Sequence, residues 1–208
     1  MFTGIIEHVG EVVSVAPTNA GRRLTVRSDI GAGLARPPRA GDSVCVSGCC
    51  LTLVCDPSGG VLAFDVIPET LAKTTIGTWT GGRKVHLELA ATVGTPLGGH
   101  LVQGHVDGVG RVLRVQTAGE WRIRIEPPES ARECLVPKGS VAVDGVSLTL
   151  AAVDAAGAWF EVALIPTTLE RTTLGELAPG SFVNIEADMI ARTAASVTRR
   201  ILGPMLPS

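Results

Sequence analysis

The chain is 208 residues long, 45% hydrophobic and 18% charged, with a formal net charge of −2 and a mean hydropathy of +0.34. That much apolar material supports well-buried cores, and the scattered, nearly balanced charges exclude the electrostatic footprint of a nucleic-acid or anionic-membrane binder. Three tryptophans, four phenylalanines and no tyrosine leave little for a base-stacking surface, so a small-molecule or protein partner is expected.

The opening MFTGIIEHVGEV has no basic leader region and meets Glu7 early, and no apolar run nears the roughly 18 residues of a membrane span. A cytoplasmic protein is expected, with its five cysteines as reduced thiols. Alternating apolar positions then mark strands with one buried face: Leu62, Phe64 and Val66, followed by Val85, Leu87 and Leu89. The second half repeats the signal at Trp121, Ile123 and Ile125, at Phe160, Val162 and Leu164, and at Val183 and Ile185. Twenty-five glycines and thirteen prolines punctuate these runs, which favours a small barrel or sandwich.

Helix is sparse. Pro68 and Pro166 suit the first position of short helical turns, and another short helix is expected over Glu129 to Leu135. The one substantial helix comes last, with Asp188 as N-cap, Ile190, Ala194, Val197 and Ile201 on one stripe, and Gly203-Pro204 as terminator. It packs either on its own second barrel or against its copies in an oligomer.

The two halves match. Gly4-Ile5-Ile6-Glu7 aligns with Gly104-His105-Val106-Asp107, Gly48-Cys49-Cys50-Leu51-Thr52-Leu53 with Gly145-Val146-Ser147-Leu148-Thr149-Leu150, and Ile67-Pro68-Glu69-Thr70-Leu71 with Ile165-Pro166-Thr167-Thr168-Leu169. Val85 to Glu88 likewise aligns with Val183 to Glu186, and the offset stays between 97 and 100 residues. Two homologous units follow, residues 1–96 and 97–187, with a helix and tail over 188–208. Within the central GGHLVQGHVDGVG, Gly98-Gly99 reads as a flexible join and His100 as structural.

A duplicated fold offers two equivalent pockets, so positions where the copies differ in chemical type are informative. Cys50 is matched by Ser147, Ser47 by Asp144, Ile5 by His105 and Thr3 by Gln103. On this reading an imidazole, a carboxylate and a hydroxyl gather in the second copy. Each also has an ordinary explanation: Cys50 as a small buried hydrophobe, His105 as a core histidine, Asp144-Gly145 as a hairpin turn. The cysteine spacings are not paired C-x-x-C ligand sets, so a zinc site is not expected, and neither phosphate-binding nor nucleophile-elbow motifs occur.

MFTGIIE, the Gly48-Cys49-Cys50-Leu51-Thr52 run, GGHLVQGHVDGVG, VDGVSLTL and IPTTLERTTLG together resemble the riboflavin synthase family of the alpha-subunit type, over nearly the whole chain and in the right order. The resemblance implies an all-β fold of two six-stranded Greek-key barrels in tandem plus a C-terminal α-helix that ties a homotrimer. It implies exchange of a four-carbon unit between two molecules of 6,7-dimethyl-8-ribityllumazine, one per barrel, with no cofactor and no metal. The products are riboflavin and 5-amino-6-ribitylamino-2,4(1H,3H)-pyrimidinedione, and the site forms between the N-terminal barrel of one subunit and the C-terminal barrel of its neighbour.

Carried onto this chain, the catalytic positions are Ser43, Cys50, His105, Asp144 and Ser147. Substrate contacts fall on Gly4, Ile5, Ile6, Cys50, Leu51, Thr52, Phe64, Asp65, Val66, Ile67, Pro68, Glu69, Thr70, Gly104, His105 and Val106. The second set is Lys138, Ser147, Leu148, Thr149, Ala163, Leu164, Ile165, Pro166, Thr167 and Thr168. The chain departs from the family pattern at Ser47, usually asparagine, and at Thr167, usually glutamate. The resemblance leaves association with a lumazine synthase capsid open. The rival reading is a non-catalytic antenna protein of the same fold, which holds lumazine or flavin without converting it.

Overall fold

Each half of the chain folds around an antiparallel six-stranded sheet whose strands follow the same order. The structure, a computed structural model, describes residues 1–202. In the first half the strands are β1 (His8–Thr18), β2 (Gly21–Arg27), β3 (Ser43–Val46), β4 (Cys49–Thr52), β5 (Val61–Val66) and β6 (Lys84–Leu89). In the second they are β7 (Gly108–Gln116), β8 (Trp121–Glu126), β9 (Ser140–Val143), β10 (Val146–Val153), β11 (Phe160–Leu164) and β12 (Phe182–Ala187).

Every alternating run expected from the sequence is a strand, with its apolar side inward. Leu24, Leu62, Phe64, Ile76 and Leu87 fill the first core, and Ile123, Ile125, Leu150, Phe160, Val162 and Leu174 the second. The sheets run β4-β3-β6-β1-β2-β5 and β10-β11-β8-β7-β12-β9, a Greek-key order in which the last strand inserts between the first and third. The second closes into a barrel; the first closes between β4 and β5 by a single bridge, Leu53 to Phe64.

Pro68 and Pro166 occupy the first turn of two short helices, α1 (Pro68–Lys73) and α2 (Pro166–Arg171). The helix expected over Glu129 to Leu135 is a 3₁₀ segment, Glu129–Cys134. In α3 (Met189–Leu202) the Asp188 carboxylate accepts the Ile190 amide at 2.8 Å, the N-cap expected. The Gly203-Pro204 terminator lies outside the described residues. Ala191 and Ala195 pack on the second core, whereas Ile190, Val197 and Ile201 are 69%, 49% and 60% exposed. The stripe therefore faces away from its own barrel.

The barrels are joined along a pseudo-twofold axis by their β3–β4 and β9–β10 hairpins. Both hairpins use two-residue turns with positive φ, Ser47 (43°) with Gly48 (85°) and Asp144 (46°) with Gly145 (80°), as type I′ turns demand. The turns pack so closely that a Cβ on Gly48 would lie 2.9 Å from the Gly145 nitrogen. Buried polar groups complete the joint. The Asn184 side chain accepts the Thr75 amide and donates to the Ser47 carbonyl; its counterpart His86 contacts the Asp144 carbonyl through Nδ1 and the Thr173 amide through Nε2, each at 2.8 Å.

The segments preceding the barrels cross over. Phe2 and Val102 pair with each other, and each arm continues onto the other barrel: the Gly104 carbonyl accepts the Cys50 amide at 2.9 Å, and the Gly4 carbonyl accepts the Ser147 amide at 2.8 Å. Ile6 accordingly belongs to the second core, and Val106 packs against the first.

Candidate functional site

β4 and β5 diverge beyond the Leu53–Phe64 bridge, and a cleft of about 270 Å³ opens at the ends of these strands. Cys49 and Cys50 border it from β4, Ile67, Glu69, Thr70 and Lys73 from the end of β5 and α1, and Gly104, His105 and Val106 from the crossing arm of the second repeat. Adjacent strand residues point to opposite faces, so Cys49 enters the core and Cys50 stays half-buried at the cleft. Burial raises the Cys45 and Cys49 thiols far above their ordinary range, which keeps both neutral. Gly104 has φ +78°, and a Cβ there would come within 2.6 Å of the Cys50 Cβ, so the arm must carry glycine to lie this close.

His105 thus stands with Cys50 at the first barrel. The repeat alignment alone grouped it with Asp144 and Ser147 in the second copy; the arm exchange reverses this, because the second repeat's opening residues border the cleft of the first barrel. By the same exchange, Gly4 lies against Ser147 and Ile6 sits in the second core, while Ile5 is exposed.

Ser147 has a neighbour that the sequence reading took as structural. His100 Nδ1 lies 2.7 Å from the Ser147 Oγ, and its Nε2 is buried with no partner among the described residues. Burial lowers the His100 pKa, which favours the neutral ring, and its Nδ1 can then accept a hydrogen bond from the Ser147 hydroxyl. Gly99 is packed rather than free: a Cβ there would meet the Thr3 carbonyl at 2.3 Å and the Ser147 Cβ at 2.7 Å. The Gly98-Gly99 join therefore includes a close contact that brings His100 onto the serine. His100 has no counterpart in the first repeat, and that was the available signal.

The remaining positions separate into those at the surface of the two sites and those inside the barrels. Ser43 pairs with Thr52 at the far end of the β3–β4 hairpin, outside the cleft lining. Leu51, Phe64, Val66, Leu148 and Leu164 point into the cores, so their side chains are not available to a ligand. Asp65 is exposed and paired with Arg23. Pro68, Thr149, Ile165, Pro166 and Thr167 are exposed, and Ala163 and Thr168 half-buried. Lys138 adopts φ +67°, its amide donating to the Leu150 carbonyl; in the first repeat Gly41 holds that place, with φ +88° and a bond to Leu53. A lysine in the left-handed region, where its counterpart is glycine, carries backbone strain. Asp144 is 5% exposed, and its carboxylate accepts the Asn184 amide at 2.7 Å. Burial raises its pKa to about 7. It lies in the joint between the barrels, at the hairpin turn three residues before Ser147.

The comparisons with known proteins agree with this duplicated architecture. The lumazine binding domain model matches twice, over residues 3–90 and 103–188. The chain is 43% identical over 201 residues to riboflavin synthase of Mycobacterium bovis, covering 96% of this chain and 98% of that one. It is 38% identical over 195 residues to riboflavin synthase of Bacillus subtilis, covering 92% and 87%. Among solved structures, LumP complexed with riboflavin is similar at a TM-score of 0.79 and 27% identity, and LumP complexed with 6,7-dimethyl-8-(1'-D-ribityl) lumazine at 0.77 and 26%, each covering 90% of this chain and 99% of that one. Two lumazine binding domains in tandem and relatives matched almost end to end place this chain in the riboflavin synthase family.

Proposed function

We propose that the protein is a riboflavin synthase, converting two molecules of 6,7-dimethyl-8-ribityllumazine into riboflavin and 5-amino-6-ribitylamino-2,4(1H,3H)-pyrimidinedione. The observation that carries this reading is the cleft in which Cys50 of one repeat meets His105 of the other, in a chain of this family. The atoms of the two products sum to those of two substrates, so one lumazine acts as donor of the four-carbon unit and the other as acceptor, without an outside electron carrier. Much of the rate then comes from holding two rings in register, where effective molarities reach about 10⁵ M and above.

In the first cleft, His105 takes a proton from the C7 methyl of its lumazine, while Cys50 helps to deliver a nucleophile to the ring; Ser43 lies outside this cleft. At the second barrel, Ser147 with His100 polarises the other ring, and Lys138, Thr149, Ile165 and Thr168 contact it. Residues 1–96 and 97–187 are the two lumazine-binding units, each completed by the other's arm. Three subunits meet through the exposed face of α3, so that the N-terminal barrel of one faces the C-terminal barrel of the next. No helix among the described residues is long and apolar enough to cross a membrane, and the reading includes a cytoplasmic location.

Incubation of the purified protein with 6,7-dimethyl-8-ribityllumazine alone tests the proposal. Riboflavin should accumulate at one molecule per two lumazines consumed. Lumazine that stays bound and unconverted, as in an antenna protein, would overturn it.

A further inference from the structure

Each crossing arm is gripped at its root by a carboxylate of the barrel it leaves. Glu186 on β12 accepts three successive amide hydrogens, from Gln103 at 2.7 Å, Gly104 at 2.8 Å and His105 at 2.9 Å. Its counterpart Glu88 on β6 accepts the Thr3 amide at 2.6 Å, the Thr3 hydroxyl at 2.7 Å and the Gly4 amide at 3.0 Å. Both glutamates are 2% exposed, each on the strand face it shares with a buried polar residue, His86 on β6 and Asn184 on β12.

Glu186 borders no part of the first cleft, yet the amides it holds belong to the residues that form the cleft's far wall. Gly104 carries the carbonyl that receives the Cys50 amide, and the next residue carries the imidazole. The His105 side chain is exposed, so its place is set by the backbone that Glu186 grips. A second tie lies two residues on, where the Asp107 carboxylate accepts the Ala187 amide and an Arg192 N–H, each at 2.8 Å. This tie keeps the arm attached to the end of β12 independently of Glu186.

We propose that Glu186 is a positioning residue for the first-barrel cleft: by accepting the Gln103, Gly104 and His105 amides it sets the imidazole of His105 against Cys50. The assignment rests on the reading of that cleft as a lumazine site. A carboxylate is an acceptor on both oxygens, which suits three donors converging from one side. Glutamine would turn an NH₂ group toward at least one of those amides, donor against donor, and the arm would shift to relieve it.

The test compares full-length Glu186→Gln with Glu88→Gln by imidazole NMR, sizing and steady-state kinetics. In Glu186→Gln the His105 ring signals should move from their wild-type positions. Displacement of reacting groups by about 1 Å costs on the order of 100-fold, so kcat/KM should fall about 10- to 100-fold, with the loss mainly in kcat. In Glu88→Gln the His105 signals should stay at their wild-type positions. Unmoved His105 signals in Glu186→Gln, or equal movement in both variants, would overturn the assignment. Should Glu186→Gln fail to fold, Glu186→Asp, which keeps an acceptor-only group one methylene further back, is read on the same signals. A wild-type protein that makes no riboflavin would instead sink the synthase reading, while the His105 signals would still decide the role of Glu186.

Discussion

The Oγ of Ser147 and the Nδ1 of His100 lie 2.7 Å apart, at the junction where the linker between repeats reaches the second barrel. Burial favours the neutral form of His100, whose Nδ1 can accept a hydrogen bond from the Ser147 hydroxyl, and on the proposed function the two act together on the second ring. We expect His100→Ala and Ser147→Ala each to lower kcat by about 10²-fold or more, the usual worth of a positioned proton-transfer group. The double variant should be little worse than either single one, since partners in one chain of transfer are non-additive. Losses that multiply in the double variant would show that the two residues act separately.

The first cleft gives a parallel test. Cys50→Ser and His105→Gln should each slow riboflavin formation without lowering the melting temperature appreciably, because Cys50 is half-buried and His105 exposed. Full activity in both, measured under saturating lumazine, would remove them from the chemistry. A large drop in melting temperature would assign them to structure instead.

Strand positions were legible because period-two alternation decides which face is buried, and the duplication was legible because residues such as Gly48 and Gly145 are needed twice for the same turn. Which pocket His105 completes was not, since alignment of repeats gives correspondence in sequence and is silent on arms that cross in space. His100 was hidden for a related reason: a lone histidine beside Gly98-Gly99 shows nothing of a serine 47 residues away. Glu88 and Glu186 did leave a trace, as carboxylates at matching places in β6 and β12. A buried charge in both copies requires donors in both, and the arms supply them.

The joint between the barrels should respond to pH through two groups of opposite sign. His86 is lowered to about 4 from 6.5, chiefly by burial, so its contribution is present above pH 6.5 and lost as pH falls toward 4. Asp144 is raised to about 7 from 3.8 by burial, so its contribution is present below pH 3.8 and lost as pH rises toward 7. At about 1.4 kcal/mol per pKa unit each is worth about 3 to 4 kcal/mol, and between pH 4 and 6.5 they oppose each other. Asp144→Asn should uncover the histidine: relative to wild type, its stability should fall more steeply as pH drops from 6.5 to 4. His86→Gln should show the reverse, losing stability relative to wild type as pH rises over the same interval. Urea unfolding at pH 4.5 and 6.5 measures both, and parallel pH dependence in all three proteins would exclude the opposition.

The final helix presents a mixed face whose two parts can be separated by mutation. Ala191 and Ala195 lie on the second core and Arg192 pairs with Asp107, so these residues attach α3 to its own barrel. Ile190, Val197 and Ile201 point outward, and exposing three branched aliphatic side chains in one stripe has a cost that contact with another subunit removes. Replacing all three with serine should leave the barrels folded, with an unchanged far-ultraviolet dichroism spectrum, but shift the protein to monomer on sizing. If active sites form between barrels of neighbouring subunits, the monomer should still bind lumazine and make riboflavin at least 10-fold more slowly, a difference equal to about 1.4 kcal/mol in the barrier. Truncation after Asp188 should give the same shift in size, and a trimer that survives both changes would place the subunit contact elsewhere.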